Sequence, residues 1–347
     1  MISLLQNVEE STKKCEWLEY PETKTSLYQA VAYDFSALEK LEEHKNNQQI
    51  LVGFYPFDHP KKERAESCSR IVVFARLFHL ENGQQKLEIR QIHTCQLRFC
   101  SCCAWRRQLK FAKLTHDILR SVLEQMKLRF LFLTLTVKNP RLEDLNQTIK
   151  HMQKAFSRIS NTAQWKKSIT GYCRVFEITK PKCASEQGNI HPHFHVLLAV
   201  KSTYFNSKSG KYLTKNDYTE MWQKALGVDY MPVCDVRIIK PKTKNGEIIK
   251  DTTAAIAELV KYPMKDTDLK RLTPQEFQIL DEQMARVRAI NYGGILKKAN
   301  KQNIDDVEID IESLELWREI EQIVMRYDPK KRQYIALESN KRGVLNS

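Results

Sequence analysis

The sequence predicts an α+β fold built on an antiparallel sheet. Apolar runs rich in β-branched and aromatic residues alternate with amphipathic, helix-type segments. The strand-type runs are 130–137, 171–179, 191–200 and 233–240, and the helix-type segments are 142–159, 217–225 and 253–262. This β-α-β-β-α-β order with one more helix predicts a ferredoxin-like sheet with helices on one face.

The composition indicates a soluble globular chain with an anionic partner. Its 347 residues suffice for a sizeable core and suggest two domains. Lys and Arg number 56 against 42 Asp and Glu, and the charge of +14 favours a polyanion through phosphate contacts. No apolar run approaches the roughly 18 residues of a membrane span, and residues 1–20 lack a secretory pattern. We expect a cytoplasmic protein without membrane association, whose nine cysteines are mostly reduced.

A β-hairpin and a basic helix are predicted upstream of the sheet. The runs 71–80 and 86–93 are strand-like, and the pair Asn82-Gly83 between them is typical of a hairpin turn. The following helix carries a basic face, which could contact phosphates or simply be solvated. Its cationic residues are Arg106, Arg107 and Lys110. At the other end of the chain, the segments 273–290 and 308–326 are interpreted as helical.

The cysteines beside the hairpin predict a structural zinc site. Cys95, Cys100 and Cys103 have C-x₄-C-x₂-C spacing, and Cys68 precedes the first arm of the hairpin. Folding of the hairpin would bring Cys68 to the other three, which completes a tetrahedral set of thiolates. Two other side chains compete as the fourth ligand: Cys102 and His93. The alternative is a turn whose cysteines pack as small apolar residues.

A histidine-rich strand, His191-Pro192-His193-Phe194-His195, predicts a second metal site. Alternate side chains of a strand share a face, so three imidazoles project the same way. The preceding strand adds Glu177, which a hairpin pairing would bring beside them. A mixed imidazole and carboxylate set with open positions suits Mg²⁺ or Mn²⁺ bound to a phosphate oxygen. His191 is the least certain ligand, and a structural or pH-sensing histidine cluster is the alternative.

A helix near residue 262 places a carboxylate and a phenol together. Glu258 and Tyr262 are four residues apart and therefore share one helix face. A tyrosine becomes a usable nucleophile when a metal polarises the phosphate and cations stabilise the charge, which Lys261 or Lys265 could do. By itself Tyr262 is one of 13 tyrosines, and Pro263 weakens the helical placement of Lys265.

Three motifs in this order, LFLTLTV, HPHFHVLL and ELVKYPMKD, resemble those of the rolling-circle replication initiators of small bacterial plasmids. That family lies within the endonuclease superfamily named for its His-hydrophobic-His motif. The resemblance covers roughly residues 67–268 and includes CQLRFCSCCAWRR at 95–107, which is similar to the family's cysteine and double-arginine motif. Jointly the motifs are specific, whereas each alone is not.

The resemblance implies a nicking reaction at the plasmid's double-strand origin. Tyr262 would attack a phosphodiester of single-stranded DNA, leaving a 5′-phosphotyrosine and a free 3′-OH that primes synthesis. His193, His195 and Glu177 would hold the catalytic metal, and Glu258 would activate water at termination. Host helicase and other replication proteins are the implied partners. In conjugative relaxases the tyrosine precedes the histidine strand, whereas here it follows.

Four regions follow from these interpretations. They are 1–66 of unknown role, 67–127 with the zinc hairpin and basic helix, 128–270 as the endonuclease domain, and 271–347 as a helical C-terminal region. Two other functions stay open: a transposase or relaxase of the same superfamily, and a non-catalytic origin-binding regulator.

Overall fold

The computed structural model describes most of the chain and divides it into two compact units. The described residues are 33–34, 36–183, 186, 188–239, 242–244, 247–249, 256, 259, 264–305 and 316–340. The first unit comprises Met1–Cys103 with Glu308–Ser347, and the second comprises Ala104–Val307. The division therefore joins the C-terminal residues to the N-terminal ones.

The first unit contains a five-stranded sheet. Its strands are β1 (Tyr33–Asp34), β2 (Ile71–His79), β3 (Gln85–Ile92), β11 (Trp317–Asp328) and β12 (Gln333–Asn340), in the order β1-β3-β2-β11-β12. The predicted hairpin is β2 and β3, and Gly83 has the positive φ of +69° that its tight turn requires. Helices α1 (Ser36–Phe54) and α2 (Pro60–Ser67) precede the hairpin.

The C-terminal segment 308–326 was predicted to be helical, and over its described residues 316–326 this prediction is wrong. Residues Trp317–Asp328 form β11, which pairs antiparallel with β2 and β12. Ile323, Met325 and Tyr327 are buried while Arg326 is exposed, so burial follows the period of two that defines a strand. The region 271–347 is therefore not wholly helical.

The second unit contains an antiparallel sheet whose strands carry the histidines. Its strands are β4 (Leu128–Thr136), β5 (Gly171–Thr179), β6 (His191–Lys201), β7 (Cys234–Ile238) and β10 (Ile290–Gly294), in the order β10-β5-β6-β4-β7. All four strand pairs are antiparallel. A separate two-stranded ribbon joins β8 (Lys242–Lys244) to β9 (Glu247–Ile249).

Helices pack on both faces of this sheet, whereas the sequence predicted one face. The helices are α3 (Ser101–Gln125), which begins in the first unit, α4 (Leu145–Asn161), α5 (Ala163–Ser168), α6 (Lys215–Leu226), α7 (Asp266–Leu269), α8 (Pro274–Gln283) and α9 (Ile295–Asp305). Phe156 of α4 and Trp222 of α6 contact Phe194 on one face. On the other face, Ile118 of α3 and Leu296 of α9 join the core around Leu197. The additional helices α3 and α9 lie outside the β-α-β-β-α-β segment from which one face was inferred.

Local sequence explains where several helices begin and end. Thr214 and Asp217 form a capping box at the start of α6, and Gly227 ends this helix in the left-handed conformation. Thr273 and Glu276 form the same box at α8. Within the described part of the chain, no helix is both long and apolar enough to cross a membrane.

Candidate functional site

The central strands β5 and β6 position the predicted carboxylate and histidines. The antiparallel register pairs Glu177 with His193 and Val175 with His195, so these side chains share a sheet face. Leu197 lies two residues further along β6 and is fully buried, which anchors the same face in the core. Regular pairing therefore brings side chains from two strands to one place.

Glu177, His193 and His195 form a compact group, which we call the acid–histidine site. Glu177 Oε2 lies 3.0 Å from His195 Nε2 and 3.4 Å from His193 Nε2. Ligands held about 2.1 Å from one ion at right angles are about 3.0 Å apart, and those at tetrahedral angles about 3.4 Å. The three groups therefore have the spacing of ligands that share a divalent ion, and they could hold one.

The carboxylate of this site is ionised at neutral pH. Burial alone would raise the pKa of Glu177, but the hydrogen bonds and charges of His193 and His195 outweigh it and lower the pKa to about 2. The side chain of His195 retains 13% exposure against 4% for Glu177. The site is thus a buried anion with access from one side.

Two polar residues that the sequence interpretation missed orient the imidazoles. Thr134 Oγ1 lies 3.2 Å from His195 Nδ1, and His191 Nδ1 donates to Asn139 Oδ1 at 2.6 Å. Such contacts fix the orientation of each ring, and the Nε2 atom of His195 is directed toward Glu177. Thr134 occupies one of two polar positions in the apolar run 130–137, and this interruption was the available signal.

His191 belongs to the row of histidines but not to the acid–histidine site. Its ring centroid lies 5.2 Å from that of His193. Its Nε2 and Nδ1 atoms are outside the group of ligand atoms that converge on Glu177. Burial, followed by the charge of His193, lowers the pKa of His191, so the ring is neutral at neutral pH.

The predicted nucleophile and its neighbours fall largely outside the described residues. These are Glu258, Lys261 and Tyr262. Ile256 and Leu259 are described, helical and buried in the core that contains Leu197. Lys265 is exposed and has an extended backbone (φ −72°, ψ 148°), so helical spacing does not determine its position.

The four predicted cysteines converge in the first unit, and we call them the four-cysteine site. Cys68 Sγ lies 3.6 Å from the sulfurs of Cys100 and Cys103, and Cys95 Sγ lies 3.6 Å from that of Cys103. Four sulfurs about 2.3 Å from a tetrahedral zinc ion are about 3.8 Å apart. All four cysteines are buried and none forms a disulfide. The group could therefore hold a metal.

The rival fourth ligands do not join this group. His93 is exposed, and Cys102 Sγ instead lies 3.5 Å from Gln48 Oε1. Within the cluster, hydrogen bonding, above all with Cys100, lowers the pKa of Cys68. Such hydrogen bonding favours the thiolate form of Cys68, which is the form that binds metal.

A buried lysine borders the four-cysteine site. Lys45 of α1 is 1% exposed, and its Nζ donates to the carbonyl oxygens of Glu66 and Cys68 at 3.1 and 2.5 Å. Burial lowers the pKa of Lys45, while the cysteines, led by Cys102, oppose this effect. A cation at this position offsets the negative charge of ionised thiols.

The cationic residues of the predicted basic face lie on α3, and most of them are exposed. Arg107 and Lys110 are exposed, and Arg106 is partly buried. All three belong to the second unit. Their contact with DNA stays a prediction.

The family of this chain follows from comparison with known proteins. A family model described as a replication protein matches residues 86–335. A curated relative from a Bacillus species, named Protein rep, is 36% identical over 281 residues, which is 77% of this chain and 88% of the relative. This chain belongs to the replication (Rep) protein family. The finding confirms the resemblance to rolling-circle plasmid Rep proteins that the motifs indicated.

Other relatives of this Rep chain agree. A Protein rep from Bacillus amyloliquefaciens is 34% identical over 321 residues, covering 88% of this chain and 87% of the relative. One from Streptococcus pneumoniae is 37% identical over 241 residues, covering 69% and 71%. No solved structure matches the chain.

Proposed function

We propose that this Rep protein initiates rolling-circle replication of a plasmid by nicking one strand at the double-strand origin. The observation that carries the proposal is the convergence of Glu177, His193 and His195 on one buried, partly accessible point in a member of this family. A divalent ion there, Mg²⁺ or Mn²⁺, would polarise the scissile phosphate and stabilise its developing charge. His191 is left as a neighbour of this set.

Leu259, which precedes the proposed nucleophile by three residues, supports its assignment. Leu259 packs in the core with Val175 and Leu197, which lie two residues from Glu177 and His195 and therefore on the same face of β5 and β6. Three peptide units separate Leu259 from Tyr262, a span of at most about 11 Å in any conformation. This proximity in the chain supports Tyr262 as the nucleophile.

The proposed chemistry exchanges one ester for another. The oxygen of Tyr262 forms a bond to phosphorus while the bond from phosphorus to the 3′-oxygen breaks, leaving a 5′-phosphotyrosine and a 3′-OH. The phenol loses its proton to solvent, and the 3′-oxygen takes one up. Lys261 and Lys265 would stabilise negative charge, and Glu258 would activate water at termination.

The sheet order supports a ferredoxin-like endonuclease core. The strands of the β-α-β-β-α-β segment lie in the order β5-β6-β4-β7, with β10 added beside β5. Every pair is antiparallel, as that fold requires. We assign this core to residues 128–270, within the second unit.

The four-cysteine site is proposed to hold structural Zn²⁺. Its closed set of thiolates suits zinc and leaves no ligand position for a substrate. The site would fix the hairpin, while Arg106, Arg107 and Lys110 of α3 would contact phosphates. Replacement of Cys100 by serine should abolish zinc in the purified protein, whereas replacement of the exposed Cys183 should not.

The nicking proposal is tested with a labelled origin oligonucleotide and Mn²⁺. Tyr262→Phe should neither cleave nor form an adduct, whereas Tyr212→Phe, at an exposed tyrosine, should behave as the parent. Cleavage by Tyr262→Phe at the parent's rate would reject this nucleophile. Origin binding by the parent without any adduct would instead indicate a non-catalytic regulator. Contact with a host helicase stays a prediction.

A further inference from the structure

A basic cleft lies at the end of the second sheet away from the acid–histidine site. It has a volume of about 790 Å³ and is bordered by α4, α5, β10 and the first residues of β5. Gly171 pairs with Ala199 at this end, whereas Glu177 pairs with His193 near the other. At about 3.3 Å per residue the two positions on β5 are about 20 Å apart. The cleft is therefore separate from the acid–histidine site.

Positive charge dominates the lining of the cleft. Its cations are Arg174, Lys166, Lys167, Lys201, Lys211 and Lys297. No aspartate or glutamate of the described chain lines it. Among the residues that the structure describes, none of the five lysines forms an ion pair with an acid. Such uncompensated charge in a concave surface focuses the potential and attracts anions.

One of these cations is held rigidly. The guanidinium carbon of Arg174 lies 4.8 Å from the ring centroid of Phe156 and 4.4 Å from that of Phe194. Burial lowers the pKa of Arg174 to about 10, so the side chain is still charged at neutral pH. A planar guanidinium stacked in this way is a preorganised phosphate donor.

Backbone and an aromatic ring complete the lining of the cleft. A Cβ atom at Gly293 would lie 2.1 Å from the ring of Tyr172, and one at Gly294 would lie 2.3 Å from the carbonyl oxygen of Thr170. Gly294 also has a φ of +59°, so the close approach of β10 requires these glycines. Tyr172 is only partly buried. A cationic groove with an aromatic ring is typical of surfaces that follow a nucleic-acid strand.

We propose that this cleft binds the phosphodiester backbone of DNA, as a subsite separate from the nicking site. The inference rests on the proposed function, because that function makes DNA the polyanion this chain handles. The same phosphodiester chemistry is offered by single-stranded DNA and by duplex DNA. Lys166, Lys167 and Lys201 are exposed, so they can be neutralised without disturbing the core.

The test compares two triple variants of the full chain with equal loss of charge. The cleft variant is Lys166→Gln/Lys167→Gln/Lys201→Gln. The control is Lys215→Gln/Lys224→Gln/Lys270→Gln, at exposed lysines that do not line the cleft. Affinity for a labelled 30-nucleotide oligo-dT and for a 30-base-pair duplex is measured by fluorescence anisotropy in buffer without Mg²⁺ or Mn²⁺, over a series of NaCl concentrations. Chemistry cannot contribute under these conditions, and thermal unfolding verifies that both variants fold.

The cleft variant should bind at least one of the two DNAs about tenfold more weakly than the control at 0.1 M salt. Its plot of log K against log salt should be shallower by about 2 for the single strand or about 3 for the duplex. Whichever DNA, single-stranded or duplex, binds more weakly to the cleft variant is the one whose phosphodiester backbone the cleft contacts. Affinities within twofold of the control for both DNAs would overturn the proposal. Failure of the nicking proposal would appear separately, as the absence of a tyrosine adduct in Mn²⁺.

Discussion

The acid–histidine site and the four-cysteine site are both groups of side chains that could bind a metal, yet they differ in ligand number and exposure. The first offers one carboxylate and two imidazoles, and His195 is partly exposed. The second offers four buried thiols. Three ligands with access leave positions for a substrate oxygen, whereas four thiolates complete a tetrahedron. This difference in ligand number and exposure is why we propose a reactive role for the first site and a structural role for the second.

Among these substitutions, loss of a histidine should have the largest effect, and it should reduce the cleavage reaction without affecting folding. We expect His195→Ala to reduce cleavage of the origin oligonucleotide by about 10³-fold, because the several kcal/mol supplied by a bound metal are lost. Single-turnover cleavage in Mn²⁺ measures this, with His116→Ala at an exposed histidine as the control. If His195→Ala lost folding and activity to the same extent, the role of the acid–histidine site would be structural, and the two sites would not differ in this respect.

Loss of a cysteine should act on stability instead. Cys100→Ser should release zinc and lower the free energy of unfolding of the first unit by more than about 3 kcal/mol. Urea unfolding followed with zinc analysis measures both, and Cys183→Ser is the control. An unchanged unfolding curve would mean that the four cysteines pack without a metal.

Removal of the buried lysine should weaken the same site by a smaller amount. Lys45→Met leaves the carbonyl oxygens of Glu66 and Cys68 without their donor and should cost about 2 kcal/mol of unfolding free energy. Zinc should also be lost at a lower chelator concentration. Lys40→Met, at an exposed position of the same helix, should alter neither quantity.

The hydroxyl that orients His195 should have a moderate catalytic effect. Thr134→Val removes the contact to His195 Nδ1 but preserves the shape of the side chain, so we expect cleavage to fall about tenfold. Metal titration of the cleavage rate should move to higher Mn²⁺. Thr148→Val removes a hydroxyl that bonds only to Asp144 O and should leave both unchanged.

Removal of an ion pair outside both sites should have the smallest effect on the free energy of unfolding. Burial alone would raise the pKa of Glu276, but hydrogen bonds from Lys180 and from the Thr273 N–H lower it overall. A lowered carboxyl pKa stabilises the fold above the unfolded value of 4.5, and this contribution is lost as the pH falls through the folded pKa. Glu276→Gln should therefore cost less than about 1 kcal/mol at pH 7 and nothing at sufficiently acid pH.

Urea unfolding over a pH series measures that difference. Glu282→Gln, at an exposed carboxylate of the same helix, should show no such pH dependence. A cost at pH 7 as large as that of Cys100→Ser would mean that losing an ordinary ion pair destabilises the protein as much as losing a cysteine, so the cost of Cys100→Ser would no longer indicate a metal.

Local sequence patterns predicted those parts of the two sites that regular pairing of strands determines. The period of two in β6 predicted that the histidines share a face, and the register with β5 brings Glu177 to them. The turn at Gly83 predicted the hairpin that brings Cys68 to Cys95. These features depend on neighbours in sequence.

Features that depend on distant partners were not predicted. Arg326 of β11 pairs with Ile71 of β2, and nothing in the local pattern of 308–326 indicates that partner. Residues 40–49 are a polar stretch within 1–66, the region to which the sequence assigned no role. They form part of α1, in which Lys45 and Gln48 are buried because they bond to the chain around Cys68. Burial of polar side chains is decided by such tertiary partners.

The central claim is that the acid–histidine site serves a tyrosine nucleophile. Its most direct test is peptide mapping, by mass spectrometry, of the covalent product formed between the full chain and an origin oligonucleotide in Mn²⁺. We expect one adduct, on Tyr262, which is absent in His195→Ala. Cleavage without an adduct, or an adduct on another tyrosine, would contradict it.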